Sequence, residues 1–577
     1  MLNALTVVLA EGDPVGLHRA NDSMQRQGFV AAGRRQWNRG ELRTWSQPGQ
    51  ERVEHFETTT SEGFACCAGP VWYRGSFGND ALRLILRDLD ATGRIDEPEM
   101  RGNFALFVQT PVHCLLLNDV LGLVRLYVSP DRLFYSTSWL ATCAYAGQVR
   151  LDETAAAEYV LLGASHSERT VAQGISTLRI AHAFDLASGH EQARLSVGGW
   201  RAGSDAPTFD AAIERLSEHL RIVFAEVATA FPGRIRAALS GGFDSRLILA
   251  GLLAAGHRPE LFVYGDAGAD DIRIASIVAE QAGIDLDVID KSALNRPAAR
   301  PGLQQLVESA LFFDGLPNDG IDDPGADRQT RLQQTAGGYV ALNGGGGEIF
   351  RNFFHLPDRR RYPLDVVRTF YRGFDTGVFR RPGGLASYED HLVSSMEDAL
   401  GIVNKAGRTA LRREQVELLY PLFRCHHWMS VNNSVGIRHG CYVTPLVDLD
   451  MVRLAASLPL DWKNAGRLEA RLIRELDAGV AGQPSSYGFR FSDGPDRRAR
   501  LAEWATCMRP VVARPFINAA RRRLQKLGAA RELIGYYRTL LPGEWQLDPV
   551  LDLERLPDNT AFARALAVEV VWRELLA

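Results

Sequence analysis

No stretch of this 577-residue chain comes near the ~20 consecutive apolar residues that a membrane-spanning helix needs, so no membrane segment is expected. Neither sign of charge dominates. Lys and Arg number 65 against 69 Asp and Glu, and the net charge of −4 excludes a global field that would draw in nucleic acid or an anionic membrane. Cysteine is scarce, odd in number at 7 and without a Cys-x-x-Cys pair. That speaks against metal clusters and disulfide frameworks and predicts free thiols in a reducing compartment. The opening MLNALTVVLAEGDP has no basic segment and breaks at Glu11 and Asp13, so it reads as a first strand and not as a signal peptide; the protein is expected to be cytoplasmic. Internal repeats and low-complexity tracts are also missing. What is present is an ordinary globular composition, 46% hydrophobic and 23% charged, on a chain too long for one core.

The residues to about 200 read as β-rich. Short apolar runs at 64–73, 102–108, 114–119 and 132–138 are separated by Gly, Pro and Asp, with one helical segment, Asn79 to Ala91, between them. The polar, Gly-rich stretch Gly199 to Pro207 suggests a linker. Beyond it the pattern predicts an amphipathic helix over 209–230, then strands at 234–239, 260–264 and 286–289 alternating with helices at 246–256 and 271–283. Such alternation means βαβ units and a parallel sheet. A further strand, 339–343, runs into Gly344 to Gly347, and the chain past about 365 is mostly helical. The polar segment 315–328 is a candidate lid. The expected domains are 1–200 and 208–577.

The sharpest signal is Leu239-Ser240-Gly241-Gly242-Phe243-Asp244-Ser245, set where a strand ends and a helix begins. Unpaired amides at a helix N-terminus favour an anion there. Gly241 and Gly242 admit phosphate oxygens close to the backbone, Ser240 and Ser245 add hydroxyls, and Asp244 is placed to hold Mg²⁺. A bare Gly-Gly turn would be equally well explained as a tight capped turn; the complete string favours a nucleotide site.

This string resembles the loop of the ATP pyrophosphatases, such as the asparagine, GMP, NAD and argininosuccinate synthetases, which split ATP between the α and β phosphates and leave an adenylated intermediate. The resemblance implies ATP and Mg²⁺, with Leu239 and Gly346 beside the nucleotide and Val263 to Gly265 lining the adenine. RGNFALFV, LLLNDVLGLVRLYV and LFYSTSWLA are similar to the glutaminase-type domain of asparagine synthetase B. TPLVDLDMVRLAASLPLDWK (444–463) resembles a later stretch of the same family. The fold this implies is α/β: an Ntn-type β-sandwich followed by an adenine-nucleotide α-hydrolase-like domain with a parallel sheet and a helical C-terminal region.

Departures from the family narrow the expectation. Met1, Leu2 and Asn3 stand where the glutaminases expose a cysteine, and Cys66 and Cys67 lie mid-strand, so glutamine hydrolysis is not expected. Gly347 replaces the acidic residue of the second loop, and Glu348 is assigned the second Mg²⁺ carboxylate. Ser486 replaces a family lysine. A synthetase fold without the cysteine resembles the lasso-peptide cyclases. These adenylate a side-chain carboxylate of a precursor peptide, which then closes a macrolactam with its own N-terminal amine. A leader-peptide protease or recognition protein is then a candidate partner. The alternatives are an asparagine synthetase-like or β-lactam synthetase-like ligase of small metabolites, and a degraded enzyme kept as a binding scaffold.

His439 is the candidate base for the incoming ammonium, with Tyr442 beside it, though an exposed loop histidine explains it as well. His426 and His427 are adjacent, so they leave a helix on different faces and do not suit a shared metal. Asp270 and Asp271 are read as N-cap and first-turn acids. The basic segment 514–538 is either a solvated face or a cradle for an acidic peptide.

Overall fold

The computed structural model describes residues 1–49, 56–195, 208–265, 268–290, 300–402, 409–524 and 531–576. Strand Ala4–Leu9 shows how the first half is layered, because both its faces are apolar. Leu5 and Val7 enter a core shared with a second sheet, and Ala4 and Val8 pack on Ala20, Met24, Ala141 and Tyr145 of helices Pro14–Arg26 and Trp139–Ala146. Strand Phe64–Ala68 repeats the pattern in the second sheet. Phe64, Cys66 and Ala68 face the shared core, whereas Ala65 and Cys67 face the core that holds Leu82 and Ile85 of helix Asn79–Thr92. The result is helix, sheet, sheet, helix, with two antiparallel six-stranded sheets in the middle. A small antiparallel sheet of Ser76–Phe77, Val71–Tyr73 and Met100–Gly102 lies beside them.

The third large sheet is wholly parallel. Its spatial order is Leu286–Ile289, Glu260–Tyr264, Ile235–Ala238, Val340–Leu342, Cys441–Val443. The chain steps outward twice from Ile235–Ala238, then returns to its other side through Val340–Leu342, so the order reverses between these two strands. After it the chain is helical, and the whole is a mixed α/β protein. The halves are tied together at several points. Asn3 Nδ2 donates to Ile437 O at 2.9 Å, Thr444 N donates to Asn103 Oδ1 at 2.7 Å, and Arg101 bridges Glu226 and Asp448 at 3.0 and 3.3 Å.

Several expectations need correction. Among the described residues of the first 200, three α-helices were not expected: Pro14–Arg26, Trp139–Ala146 and Glu153–Leu162. The first was signalled by Asp13, whose carboxylate caps the amides of Val15 and Gly16, and by Pro14 in the first turn. Segment 315–328 is no lid. Asn318 is buried and donates to Gly163 O and Trp428 O, Ile321 is fully buried, and Arg564 holds Asn318 O. Within the basic segment 514–538 the described residues are helical over Arg514–Leu524 and from Arg531, and 525–530 lie outside the described residues. The expected linker at 199–207 also lies outside them. Among the described residues no helix is long and apolar enough to cross a membrane.

Candidate active site

Open parallel sheets bind ligands beyond the carboxyl ends of their strands, at the point where strand order reverses. Both Gly-rich loops stand there, since Ile235–Ala238 and Val340–Leu342 pair side by side and lead into Ser240–Ser245 and Asn343–Glu348. The helix after the first loop begins at Phe243, three residues before the expected Arg246, so Phe243, Asp244 and Ser245 form its first turn. No side chain caps it, and the Cβ direction of Gly242 meets only Ser240 Oγ within 4 Å, leaving open backbone for an anion.

The loop is held by its own hydroxyls. Ser245 Oγ accepts from Ser240 N at 3.0 Å and pairs with Ser240 Oγ at 3.0 Å, and Ser240 Oγ accepts from Gly242 N at 3.2 Å. Asp271, in the first turn of helix Asp270–Ala282, accepts from Gly241 N at 3.2 Å. It thus does more than the helix-terminal role expected of it. Segment Gln483–Ser486 covers the loop: Ser486 N donates to Gly241 O at 3.1 Å, and buried Arg246 donates to Gln483 O and Pro484 O. Position 486 therefore does lie at the loop tip. Phe243 stacks on Phe491 with ring centroids 4.3 Å apart.

Three carboxylates converge on one guanidinium. Arg351 Nη2 donates to Asp244 Oδ1 and Oδ2 at 2.7 and 2.8 Å, its Nε lies 3.0 Å from Glu469 Oε2, and Nη2 lies 3.6 Å from Glu348 Oε1. Glu469, on helix Arg467–Leu476, is fully buried and makes no hydrogen bond of good geometry through either oxygen to a donor outside the cluster. Burial pushes the acids of Asp244 and Glu469 up, although Arg351 pulls them down; Glu348 raises Asp244 while a hydrogen bond with Glu469 lowers it, and Asp244 raises Glu469. Burial opposes the charge on Arg351 too, but Glu469, Asp244 and Glu348 outweigh it and raise its pKa. Three acids facing one base leave room for further positive charge, which suits a divalent cation.

Glycine at 347 is a steric requirement. A Cβ there would overlap Asp244 Oδ1 and come within 2.9 Å of Glu469 Oε1. Gly347→Ala is accordingly expected to cost about 1–3 kcal/mol of stability by overpacking. Gly535→Ala, inside helix Arg531–Leu540 where a Cβ meets nothing within 4 Å, is the control in the same thermal melt, expected to hold or raise stability by about 0.5–1 kcal/mol.

The other expected site residues divide. A Cβ at Gly344 would stand 3.2 Å from Asp244 Cβ, Gly346 takes a left-handed φ of 99°, and Glu348 Oε2 accepts from Gly346 N at 3.1 Å and from Tyr420 OH. Leu239 N donates to Phe262 O, Val263 is buried in its strand, and Gly265 follows that strand's end. His439 and Tyr442 do not join them. His439 precedes strand Cys441–Val443, at the edge opposite the loops. Its ring is stacked 3.8 Å from Phe312, and burial pushes it down to about 3. It is a packed neutral imidazole with no access to a substrate amine. Tyr442 is mid-strand and buried, opposite Ala341, and its hydroxyl accepts from Asn432 Nδ2 at 3.1 Å. His426 and His427 are also buried, burial pushing His426 down to about 4. Cys66 and Cys67 are fully buried with their thiols pushed up, which makes neither a nucleophile.

Beside the acid cluster lies a cavity of about 670 Å³, lined by Phe243, Arg351, Phe353, Phe370 and Tyr487 among others. Sequence reading missed Arg351, Glu469 and Arg246. Only Arg351 had a signal, a basic residue three positions after Glu348 in a Gly-rich loop.

No family model matches the chain, and no curated protein matches it. Among solved structures it is similar to a glutamine phosphoribosylpyrophosphate amidotransferase from B. subtilis complexed with ADP and GMP. That similarity has 11% identity and a TM-score of 0.22, over 52% of this chain and 92% of that one. At that score the overlap decides neither fold nor activity.

Proposed function

We propose that the chain is an ATP-dependent, AMP-forming amide-bond synthetase of the asparagine synthetase-like kind, with an Ntn-type sandwich over 1–200 and a synthetase unit over 208–577. The observation that carries this is the pair of Gly-rich loops beyond adjacent parallel strands, at the reversal of strand order, with an uncapped helix start between them. Ser240, Gly241, Gly242 and Ser245 would hold the pyrophosphate of ATP, displacing Asp271 from the Gly241 amide. Asp244, Glu469 and Glu348 fit Mg²⁺, which when bound would neutralise charge on the phosphates. The substrate carboxylate attacks the α-phosphorus and pyrophosphate leaves; an amine then attacks the acyl carbon, AMP leaves and one proton is released.

The substrate we favour is a precursor peptide whose side-chain carboxylate is closed onto its own N-terminal amine, as in a lasso-peptide cyclase. The aromatic and arginine-lined cavity beside Asp244 is of a size that takes a peptide segment. Holding both groups of one substrate at reacting distance supplies ~7–11 kcal/mol of the barrier. A second reading is favoured by the loop itself. With Asp271 on the Gly241 amide and Arg351 among the acids, the site satisfies much of its own charge, as a scaffold that no longer turns over would.

ATP–pyrophosphate exchange with Mg²⁺ separates these. Exchange that requires one acidic peptide supports the cyclase, exchange with small acids supports a metabolite ligase, and no exchange together with no ATP binding leaves the scaffold. Between the two carboxylates, Glu469→Gln is expected to raise the Mg²⁺ concentration for half-maximal exchange more than Glu348→Gln, because Glu348 is already engaged by Tyr420 and Gly346.

A further inference from the structure

Behind the aromatic cavity stands a cluster that the adenylation chemistry does not use. Glu503 and Cys507 lie one turn apart on helix Arg497–Cys507, so they share a face, and His355 reaches them from the chain beyond the second Gly-rich loop. His355 Nδ1 is 2.9 Å from Glu503 Oε1, Cys507 Sγ is 3.8 Å from the same oxygen, and all three donor atoms lie within 4.8 Å of one another. A tetrahedral ion with zinc's bond lengths to S, N and O would hold such donors about 3.3–3.7 Å apart. The side chains are therefore close to coordinating spacing.

A surrounding layer holds them there. Asn352 Nδ2 donates to Cys507 Sγ at 3.4 Å and to Leu356 O at 3.1 Å, fixing the thiol against the loop that carries His355. Arg514 Nη2 donates to His355 O at 2.9 Å and to Thr506 O and Cys507 O at 3.0 and 3.1 Å. One guanidinium thus pins the histidine backbone to the helix end that carries the cysteine. His355 is held at a φ of +47°, a left-handed conformation unfavourable for a side chain with a Cβ. A His–Glu ion pair alone would need neither the thiol nor this strain.

We infer that His355, Glu503 and Cys507 form a zinc site with three protein ligands. Thiolate with imidazole selects zinc over magnesium or calcium, which prefer all-oxygen sets. Binding displaces the thiol proton. His355 and Glu503 line the 670 Å³ cavity, so the fourth position is filled from it, by water or by a donor atom of a bound molecule. The inference is independent of the adenylation reading.

Chelator-stripped full-length protein titrated with Co²⁺, and then with Zn²⁺, tests it. The expected result is one equivalent of cobalt bound with a thiolate-to-cobalt charge-transfer band that zinc abolishes. Cys507→Ser removes the band, and His355→Gln and Glu503→Gln each weaken binding by at least about tenfold. No saturable binding, or a band that persists in Cys507→Ser, overturns the site. Should Cys507→Ser fail to fold, His355→Gln decides, because that side chain is half exposed and no part of the core: an unchanged cobalt affinity overturns the site, and a weakened one supports it.

Discussion

Asp244→Asn is expected to lower ATP–pyrophosphate exchange by about 10²–10³-fold, the usual effect of removing one electrostatic group from a reacting centre. Asp244 sits in the first turn of a helix whose N-terminal amides await an anion, so carboxylate and pyrophosphate would compete for one positive field. They coexist only with a cation between them, and Asn keeps the shape while removing the charge that recruits it. The variant also frees Arg351 from its two bonds to Asp244. If that guanidinium alone were the phosphate counter-charge, exchange would be retained or raised and would lose its dependence on Mg²⁺. A Mg²⁺ titration of Asp244→Asn against the unaltered protein therefore tells a metal site from an arginine site.

Arg351→Met is expected to destabilise the protein by about 3–5 kcal/mol, the cost of stripping the partner from a buried charge. Glu469 is fully buried, and no other cation lies within ion-pair distance of it among the described residues. The loss should depend on pH. Burial already holds the acids of Asp244 and Glu469 above the ordinary carboxyl value near about 4. Between that value and the raised one the folded state binds more protons than the unfolded state, so stability falls as pH rises. Removing Arg351 raises both acids further and extends this window upward. The penalty should be smallest near pH 5 and largest near pH 8, measured by calorimetric unfolding, whereas Arg351→Lys should recover much of it. A pH-independent loss would mean that Arg351 acts by packing on Phe243, over whose ring it lies, and that the carboxylates find other compensation.

Four strands of the parallel sheet were legible because they are short apolar runs between amphipathic helices, each boundary falling within a few residues, whereas the three-residue edge strand Cys441–Val443 was not expected. The first Gly-rich loop was legible as a strand-to-helix turn because its pattern is local: glycine, hydroxyl and carboxylate follow one another within a single turn. The helix Trp139–Ala146 was not. Six of its eight residues are buried, so it has no polar stripe and reads as a continuation of the strand pattern before it. His439 misled for a related reason. Its closeness in sequence to a strand of the sheet says nothing of which edge it occupies, and parallel strands put only their carboxyl ends at the site.

Sequence alone thus determined that two Gly-rich loops each end a strand, that Asp244 sits among them, and that Gly347 brings no carboxylate of its own. Tertiary structure alone decided what fills that gap. Glu469 arrives from a helix more than a hundred residues away, Arg351 turns inward to meet it, and Ser486 is drawn over the loop by Arg246. Charges so far apart in the chain interact only after folding brings them within a few ångströms in a medium less polarisable than water. No local pattern records that partnership.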